Sequence, residues 1–506
     1  MLNSPKPQSP SDGLQTSLSI MILIVICSLL FDICKAQWQP DVRLTNEPHG
    51  SYTSYNNAWC VASSGDTLHL VWQDNRNGEF NWDLYYIRST DNGLSWGAEL
   101  QLTNDPHWST YPCIAVSGQE VHVVWPDTRN YSSGEIYYKH STNGGLNWET
   151  DVRLTFGNNI AGAWDPSIAV SSQDVHVVWD DYRDLNYEIY YKRSTDGGMT
   201  WGNDIRLTNN DSDSFCPSVA ASGQYVHIVW FDRRDGNREV YYKRSTDRGI
   251  SWEQDLRLTH NQFLSVSPCI AVSGQVVHIV WMDQRDMNDE IYYKRSTDGG
   301  MTWGADTRLT YNNWISLYPV LAVSGQVVHV VWEDTRDLNY EIYYKRSTDG
   351  GTDWDPDVRL TYDTAYSLYP CVCVSGSSVH AVWTDERDGN YEVYYKRNPT
   401  GNTIGIKNIS SEVPKEFNLF QNYPNPFNPT TKIRFDMPTV GQRHAFDVRF
   451  VIYDILGRVV SILVNEQLKP GTYEVEWDTS NYPSGVYFYR LSTDDYANTK
   501  KMVLVK

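Results

Sequence analysis

Short runs of apolar residues, separated by turns rich in glycine, asparagine and aspartate, recur along residues 41–397. The clearest copy is residues 327–354, which read VVHVVWEDTRDLNYEIYYKRSTDGGTDW. In the VHVVW-like runs both alternating faces are largely apolar, and β-branched and aromatic residues dominate. Both properties are typical of strands that are buried on two faces. The pattern therefore predicts an all-β structure.

The pattern returns at nearly constant intervals. The tryptophans that end the VHVVW-like runs are spaced by 53, 54, 51, 51, 51 and 51 residues. Each repeat offers four strand-like runs, exemplified by residues 112–118, 328–332, 341–347 and 357–361. A repeat of about 50 residues with four strands is typical of a propeller blade. The repeats therefore predict a seven-bladed β-propeller. The repeated tryptophans are Trp72, Trp125, Trp179, Trp230, Trp281, Trp332 and Trp383.

The order of the runs predicts how the ring closes. One copy of the fourth run, DVRLT at residues 41–45, precedes the first complete set. The last set ends at Arg397 with no fourth run after it. We therefore expect the N-terminal strand to complete the last blade, which removes the exposed edge of an open ring.

Both ends of the chain depart from the repeat. Residues 20–31 (IMILIVICSLLF) form the one strongly apolar run, and Cys34-Lys35-Ala36 follows it. This predicts a secretory signal peptide over residues 1–36, with an uncleaved anchor or a later start at Met21 as alternatives. The propeller is expected at 37–400 and a linker at 401–413. Alternating runs separated by turns then predict a small Ig-like β-sandwich at 414–506.

Composition narrows the class of protein. The formal net charge of −20 argues against binding to nucleic acid and against docking on anionic lipid. None of the eight cysteines forms a CxxC pair. We expect them to be small buried residues rather than metal ligands or a disulfide framework.

The turn after the third run reads Ser-Thr-Asp-Gly-Gly-x-x-Trp in its clearest copies. The aspartate suits acceptance of hydrogen bonds from turn amides, and the glycine suits a positive φ. This motif is the Asp box, and residues 41–397 resemble the sialidase-like propellers with BNR repeats. The resemblance implies that the boxes are structural and lie opposite any active site. The six Asp-box positions are Asp91, Asn143, Asp196, Asp247, Asp298 and Asp349.

The resemblance does not extend to catalysis. Sialidases of this family carry an Arg-Ile-Pro motif, six blades, three arginines for the substrate carboxylate, a Tyr/Glu pair and an acidic Asp. This sequence has no Arg-Ile-Pro motif and seven repeats. Insertions that break the symmetry at residues 77–82, 130–134 and 158–165 supply no such set, so no catalytic residue is assigned. A sialidase-like glycoside hydrolase stays as the alternative.

Two sets of residues are candidates for ligand binding. Aromatic residues in the loops from the fourth to the first strand suit the faces of sugar rings, and the loop from the second to the third strand repeats W-x-D-x-R. Its arginines either form a charged rim for a ligand or pair with the neighbouring aspartates inside each blade. The candidates are Trp108, Trp164, Trp314, Tyr318, Tyr366, Arg129, Arg183, Arg234, Arg285, Arg336 and Arg387. Further aromatic residues of the same loops are Tyr52, Tyr55, Tyr111 and Tyr369.

Metal and cofactor sites are not expected. The seven repeated histidines, His176 among them, lie in separate blades and cannot converge on one zinc ion. We expect them to be hydrogen-bonded between blades. Calcium at the Asp-rich loops stays open, although the arginine in each loop offsets the charge and no EF-hand spacing occurs.

The C-terminal unit resembles a second family. Residues 422–435 (NYPNPFNPTTKIRF), 453–460 (YDILGRVV), 471–478 (GTYEVEWD) and 484–491 (SGVYFYRL) are similar to the type A sorting domain of type IX secretion. The resemblance implies that residues 414–506 contact that machinery. The product would be secreted or held at the outer-membrane surface of a Gram-negative bacterium. An ordinary Ig-like binding domain is the alternative.

These observations converge on a secreted or surface-attached propeller. We expect it to be a monomer that binds a glycan or another surface polymer without cleaving it. A glycoside hydrolase and a purely structural surface protein remain as alternative functions.

Overall fold

A computed structural model describes residues 38–54, 59–130, 133–157, 162–401, 407–410, 413–439, 446–468, 470–479, 482–493 and 496–506. All regular elements in these ranges are β-strands, so the predicted all-β class is confirmed. The predicted signal peptide, residues 1–36, lies outside the described residues. No helix among the described residues is long and apolar enough to cross a membrane.

Seven antiparallel sheets form the propeller, and the chain runs from the innermost strand to the outermost strand in each. We call these sheets blades 1 to 7. In blade 1 two short strands share the innermost position, and in blade 7 the N-terminal strand is outermost.

The strands of blades 1 to 3 are β2 Ser51–Tyr52, β3 Val61–Ser64, β4 Thr67–Asp74, β5 Asp83–Ser89 and β6 Leu100–Gln101; β7 Cys113–Ser117, β8 Glu120–Asp127, β9 Glu135–Ser141 and β10 Val152–Arg153; and β11 Ala163–Ser171, β12 Asp174–Asp181, β13 Glu188–Ser194 and β14 Ile205–Arg206. Those of blades 4 and 5 are β15 Ser214–Ser222, β16 Tyr225–Asp232, β17 Glu239–Ser245 and β18 Leu256–Arg257; and β19 Ser265–Ser273, β20 Val276–Asp283, β21 Glu290–Ser296 and β22 Thr307–Arg308. Those of blades 6 and 7 are β23 Ser316–Ser324, β24 Val327–Asp334, β25 Glu341–Ser347 and β26 Val358–Arg359; and β27 Ser367–Ser375, β28 Ser378–Asp385, β29 Glu392–Asn398 and β1 Val42–Arg43.

The second strand of each blade is the centre of its core. In blade 6, Val328, Val330 and Trp332 are fully buried on one face, and His329 and Val331 are fully buried on the other. Neighbouring blades cover both faces, which explains why these runs are apolar without alternation. All seven repeated tryptophans are buried to 1% exposure or less.

The innermost strands surround a narrow axial channel. It has a volume of about 250 Å³ and is lined by the innermost strand of every blade. Small side chains point at the same height into this channel, because larger ones would meet at the axis. They are Ala62, Ala115, Ala169, Ala220, Ala271, Ala322 and Cys373.

The N-terminal segment completes blade 7, as the order of the runs predicts. Val42 and Arg43 pair with Tyr395 and Tyr394 of β29. The amide of Leu44 donates to the carbonyl of Val393 at 2.8 Å, and Thr45 is buried. Two segments that are about 350 residues apart in sequence therefore form one sheet.

Trp38 extends this closure in a way that the sequence analysis missed. In blade 2 the box tryptophan Trp148 meets Tyr86 of blade 1 edge to face, with ring centroids 5.0 Å apart. Blade 7 has no complete Asp box, and Trp38 meets Tyr344 of blade 6 in the same arrangement, also at 5.0 Å. The indole of the last Asp box is thus supplied by the other end of the chain.

The C-terminal unit is a sandwich of two four-stranded sheets. Its core contains Phe435, Phe450, Trp477 and Tyr489, all buried. One sheet is formed by β30 Lys407–Ser410, β31 Asn418–Leu419, β32 Thr430–Met437 and β35 Gly471–Asp478; the other by β33 Phe446–Tyr453, β34 Val459–Leu468, β36 Gly485–Ser492 and β37 Ala497–Leu504.

The predicted linker over residues 401–413 needs a correction. Within it, β30 pairs with β35, as shown by Lys407 opposite Glu474. The sandwich therefore begins by Lys407. This strand was not predicted because it is short and has no alternating apolar pattern.

Candidate functional site

The Asp boxes close turns on one face of the propeller. In blade 3, the Ser194 hydroxyl donates to Oδ1 of Asp196 at 2.7 Å and accepts from the Gly198 amide at 2.8 Å. The hydroxyl and amide of Thr200 donate to the carboxylate of Asp196 at 2.6 and 2.9 Å. These bonds lower the pKa of Asp196 to about 2. The side-chain carboxylates of the other boxes, and the side-chain amide oxygen of Asn143, accept similar bonds, so these residues hold turns. The other boxes are those of Asp91, Asn143, Asp247, Asp298 and Asp349.

The other face carries the loops in which the sequence analysis placed a ligand. The Asn186 side chain, between the second and third strands, donates to the carbonyls of Asn210 and Ser212 at 3.0 Å each. Those carbonyls belong to the loop from the fourth strand to the next blade. The two kinds of loop therefore share a face, which we call the loop face.

The repeated arginines of the loop face are held inside the blades. Nη2 of Arg183 meets Asp181 at 2.5 Å, and its Nη1 meets Asp204 at 2.7 Å. Its guanidinium lies 4.3 Å from the ring centroid of Tyr190. The intrablade alternative thus describes the pairing of these arginines, and their assignment to a ligand rim stays a prediction. The same pairing occurs at Arg129, Arg234, Arg285, Arg336 and Arg387.

The aspartates of the W-x-D-x-R loops accept hydrogen bonds from neighbouring side chains of the same blade. The carboxylate of Asp283 accepts from the indole of Trp281 at 2.8 Å, from the hydroxyl of Ser265 at 2.9 Å and from Arg285. These bonds hold the pKa of Asp283 below its usual range despite its burial. Asp283 is thus engaged within its own blade, and calcium at these loops stays an open prediction.

The repeated histidines are structural, with a different partner from the one expected. Nδ1 of His176 is 2.8 Å from the hydroxyl of Tyr191, which lies on the third strand of the same blade. Burial lowers the pKa of His176 to about 3, so the ring is neutral. Tyr191 in turn lies under Gly249 and Trp252 of the next blade. Tyr191 therefore links the hydrogen bond of the histidine to the next blade.

The repeats differ most where the innermost strands begin, at the loop-face end of the channel. A β-bulge interrupts the pairing there, for example between Trp164 and Ser167. Its first residue has a positive φ of 46° to 53° and precedes a proline, a conformation that non-glycine residues rarely adopt. Such bulges redirect side chains and often mark functional sites. We call these residues the mouth; they are Tyr111, Asp165, Cys216, Ser267, Tyr318 and Tyr369.

Mouth residues from different blades lie close together. Sγ of Cys216 is 3.3 Å from Oδ2 of Asp165, and the rings of Tyr318 and Tyr369 are 6.2 Å apart. Tyr318 also interacts electrostatically with Cys216, and Tyr369 with Tyr111, each across two blades. The mouth is therefore one asymmetric site on the axis.

A second position that varies between the repeats bonds to the backbone of the mouth residues. It follows the repeated tryptophan on the second strand, and its side chain caps a bulge amide of the next blade. The carboxyl of Glu333 accepts from the amide of Tyr369 at 2.6 Å, and the carboxyl of Asp180 accepts from the amide of Cys216 at 3.2 Å. Gln73 caps Tyr111 in the same way, at 2.7 Å.

The two buried carboxyls have raised pKa values. Burial raises the pKa of Glu333 to about 8 and raises that of Asp180 well above its usual range. Burial also raises the pKa of the Cys216 thiol. Asp165, Asp180 and Cys216 place one ligand atom each within 4.8 Å of one another. Because metal ligands must be deprotonated, the raised pKa values favour a hydrogen-bonded cluster over a metal centre.

Blades 3 and 4 contribute an aromatic ladder beside the mouth. Ring centroids of Tyr182 and Tyr187 are 5.0 Å apart, those of Tyr187 and Phe215 are 4.8 Å apart, and those of Phe215 and Phe231 are 5.5 Å apart. The first three rings are half-buried. Arg233 lies over Phe215 and Arg238 lies over Phe231, each 5.4 Å from the ring centroid. We call these four rings the ladder.

The structure separates the aromatic residues that the sequence suggested as ligand contacts. Tyr318 belongs to the mouth, and Trp164, half-buried against Gly134, lies beside it. Trp108, Trp314 and Tyr366 are 46%, 49% and 45% exposed on outer loops. Tyr55 lies outside the described residues.

Sequence reasoning missed the residues that make the site asymmetric. Cys216, Phe215, Asp180 and Glu333 were not singled out, although each occupies a repeat position whose residue type changes from blade to blade. They can be found by aligning the seven repeats and looking for positions where the residue type varies. Two such positions are the residue before each repeated proline and the residue after each repeated tryptophan.

The chemistry of the site is that of hydrogen-bond donors and aromatic faces. Tyrosine hydroxyls and a thiol are the hydrogen-bond donors at the mouth, and desolvation raises the pKa of Tyr318 and of Tyr369. Asp180 and Glu333 are each 1% exposed or less, beneath the bulges. Neither carboxyl therefore touches a ligand at the mouth, and both act by positioning the mouth residues.

Replacing Glu333 with Gln should change how stability depends on pH. The folded protein keeps the Glu333 proton up to about pH 8, whereas the unfolded chain loses it near the ordinary value of 4.5. The stabilisation is full below the unfolded value and is lost as pH rises through the folded value. Stability of the unsubstituted protein relative to E333Q should then fall by up to about 1.4 kcal/mol per pH unit across this window.

Urea unfolding of both proteins at several pH values between 5 and 9 measures this difference. Glu253→Gln, an exposed carboxylate on the Asp-box face, is the matched control and should follow the unsubstituted protein. Equal pH slopes for E333Q and the unsubstituted protein would show that the Glu333 carboxyl is ionised in the folded state.

Comparison with known families identifies both units. Residues 23–229 match the family described as a BNR repeat-like domain, and residues 421–506 match the secretion system C-terminal sorting domain. The resemblance to BNR propellers and the resemblance to a sorting domain are thereby confirmed. The protein is exported by type IX secretion and is secreted or located at the outer-membrane surface.

Individual relatives act on polysaccharides or glycans. A xyloglucanase of Acetivibrio thermocellus is 24% identical over 274 residues, which cover 46% of this chain and 30% of that enzyme. The chain thus spans under a third of the length of this relative. The structure of an ulvan lyase bound to a glucuronate and sulfated-rhamnose saccharide has a TM-score of 0.52 at 11% identity, covering 70% of this chain and 95% of the lyase. A Trypanosoma rangeli sialidase has a TM-score of 0.42 at 12% identity, covering 80% and 85%. The likeness to the lyase shows the propeller fold.

Proposed function

We propose that the propeller, as a monomer and without a cofactor, binds a polysaccharide on its loop face without cleaving it. The observation that carries this proposal is the ladder, which lies beside the mouth and is formed by Tyr182, Tyr187, Phe215 and Phe231 of blades 3 and 4. Half-buried aromatic faces next to hydrogen-bond donors suit a sugar ring with its hydroxyl groups.

The contacts favour binding over catalysis. Glycoside cleavage needs two carboxyl groups that reach the scissile bond. Asp180 and Glu333 are covered by the bulges, and the repeated arginines are engaged in pairs. Desolvation raises the pKa of Tyr318 and of Tyr369, which disfavours either hydroxyl as a base or nucleophile. The xyloglucanase and the ulvan lyase support a polysaccharide as the class of ligand.

Substitution of ladder residues should weaken binding. In the full chain, Tyr187→Ala and Phe215→Ala should each lower affinity for a bound polysaccharide about tenfold, which corresponds to about 1.4 kcal/mol. Biolayer interferometry on immobilised xyloglucan, ulvan and polygalacturonate measures this effect. Tyr311→Ala, which removes a 72% exposed ring from another loop of the same face, is the matched control.

Two results would contradict the proposal. If the polysaccharide affinity is unchanged in both ladder variants, the binding site is not at the ladder. An absence of binding to any member of a broad polysaccharide panel would favour the structural alternative, in which the symmetric ring has no dedicated ligand.

A second candidate function is glycan cleavage. It is favoured by Asp165, a half-buried carboxyl at the mouth that places a ligand atom within 4.8 Å of one on the covered Asp180, because hydrolases act through closely placed carboxyl groups. Incubation of the full chain with the same polysaccharides, followed by reducing-end and ultraviolet assays, tests this candidate. Products that disappear in Asp165→Asn would establish cleavage and replace the binding proposal.

A further inference from the structure

Blade 4 carries two arginines that no other blade has. Arg233 follows the repeated aspartate of the second strand, and Arg238 precedes the first residue of the third strand. The equivalents of Arg233 are Asn75, Thr128, Tyr182, Gln284, Thr335 and Glu386, and those of Arg238 are Trp82, Gly134, Tyr187, Asp289, Tyr340 and Tyr391. The blade architecture therefore does not require a cation at either place.

Arg238 lacks the partners that the other cations of the propeller have. Its side chain forms no ion pair and no hydrogen bond with any described residue; its ring contact is with Phe231, at 5.4 Å. By contrast, the neighbouring repeated Arg234 holds Asp232 at 2.5 Å and Asp255 at 2.7 Å. A half-buried guanidinium without a counter-charge loses hydration without compensation. Desolvation and then repulsion by Arg233 lower the pKa of Arg238, in keeping with this unbalanced charge.

Arg233 places a second guanidinium beside the first. It is 42% exposed and meets Asp213 at 3.4 Å. Because Arg233 lies over Phe215 and Arg238 over Phe231, the two cations flank adjacent rings of the ladder. An anionic group between the guanidiniums would have two forked donors, and the sugar that carries it would lie against the half-buried rings of the ladder.

We propose that Arg233 and Arg238 bind the anionic substituent of an acidic polysaccharide, a carboxylate or a sulfate ester, while its sugar ring packs on the ladder. This inference rests on the proposed polysaccharide binding and specifies the ligand class. The formal net charge of −20 repels polyanions at long range. Selection for an acidic sugar must therefore come from local contacts at this pair.

The test compares chemically matched polymers on the full chain. Polygalacturonate and its fully methyl-esterified form differ in the charge of the carboxyl group, and dextran sulfate and dextran differ in the sulfate. Biolayer interferometry with each polymer should show at least tenfold tighter binding to one charged member than to its neutral partner. The pair that shows the preference identifies the anion. Poly-L-glutamate, which has carboxylates and no sugar, should bind at least tenfold more weakly than the preferred polymer.

Variants then assign the preference to the two arginines. Arg238→Gln should lower affinity for the charged polymer at least tenfold, and R233Q/R238Q about a hundredfold, with affinity for the neutral partner unchanged. Arg248→Gln removes the same charge from a 64% exposed side chain on the Asp-box face and should bind as the unsubstituted protein does. Matching far-ultraviolet circular dichroism and thermal unfolding among the four proteins establishes that folding is intact.

The outcomes separate the two proposals. Equal affinity for charged and neutral polymers, or charged-polymer binding that R233Q/R238Q leaves unchanged, overturns the role of the arginine pair and leaves polysaccharide binding standing. An absence of binding to all sugar polymers overturns polysaccharide binding and this inference together.

Discussion

Deletion of residues 37–46 should destabilise the propeller by at least about 5 kcal/mol. The segment supplies the outermost strand of blade 7 and the half-buried indole of Trp38. Its Asp41 meets Arg387 and Lys396 at 2.7 Å each, and its Arg43 meets the fully buried side chain of Glu392 at 2.7 Å. Loss of these partners exposes a sheet edge and leaves the Glu392 carboxylate without its cation. Urea unfolding followed by tryptophan fluorescence measures the change.

A point substitution covers the case in which the truncated chain does not fold. Trp38→Ala removes the indole that covers Tyr344 and should cost about 3 kcal/mol, the lower end for a buried aromatic, because Trp38 is half-buried. Phe156→Ala removes a 72% exposed ring and should change stability by less than about 0.5 kcal/mol. Equal unfolding midpoints for the truncated and complete chains would refute closure by the N-terminal strand.

Gly198→Ala should destabilise the protein by about 2–4 kcal/mol. Gly198 has φ +89°, and an added Cβ would lie 1.8 Å from the hydroxyl of Tyr138. That hydroxyl is bonded to His122 at 2.7 Å, and the Tyr138 ring is fully buried against Trp201. The tyrosine of blade 2 must therefore move, which opens its contact with blade 3.

The neighbouring glycine offers a matched control. Gly197 has φ +73°, and a Cβ there would meet the flexible end of Gln173 at 3.1 Å. Gly197→Ala carries the same backbone penalty without the steric conflict and should cost about 1 kcal/mol. Because G198A/Tyr138→Phe removes the clashing oxygen, it should recover part of the loss that G198A causes. Equal losses in the two alanine variants would mean that the tyrosine contact contributes nothing between blades.

The repeat made most of the fold predictable from sequence. The regular spacing of the tryptophans predicted the blades, and the DVRLT run at residues 41–45 predicted that the N-terminal strand completes the last blade. Trp38 was missed because its Asp box is split between the two ends of the chain and was compared only with contiguous copies. β30 was missed because a short edge strand without alternation resembles a linker.

The site was less predictable, because function lies in contacts between repeats. A W-x-D-x-R loop fixes the position of an arginine but not the direction of its side chain, and the structure turns Arg183 back onto Tyr190. Asp180 looks like the polar end of a strand, yet the bulge of the next blade covers it. Tyr318 reaches the mouth through the bulge, whereas Trp108 and Trp314 stay on outer loops. These differences depend on register with a neighbouring blade, which one repeat does not specify.

The split Asp box gives the junction between blade 7 and blade 6 two contacts that the other junctions also have. Arg346 donates to the carbonyl of Gly401 at 3.0 Å, just as Arg244 donates to the carbonyl of Gly299 at 2.6 Å two blades earlier, and Trp38 supplies the missing ring. These contacts between blades are therefore present at the junction that holds the N-terminal segment as well as at junctions within the continuous chain. A circularly permuted chain, with its ends placed at another junction between blades, should therefore be able to form the same ring.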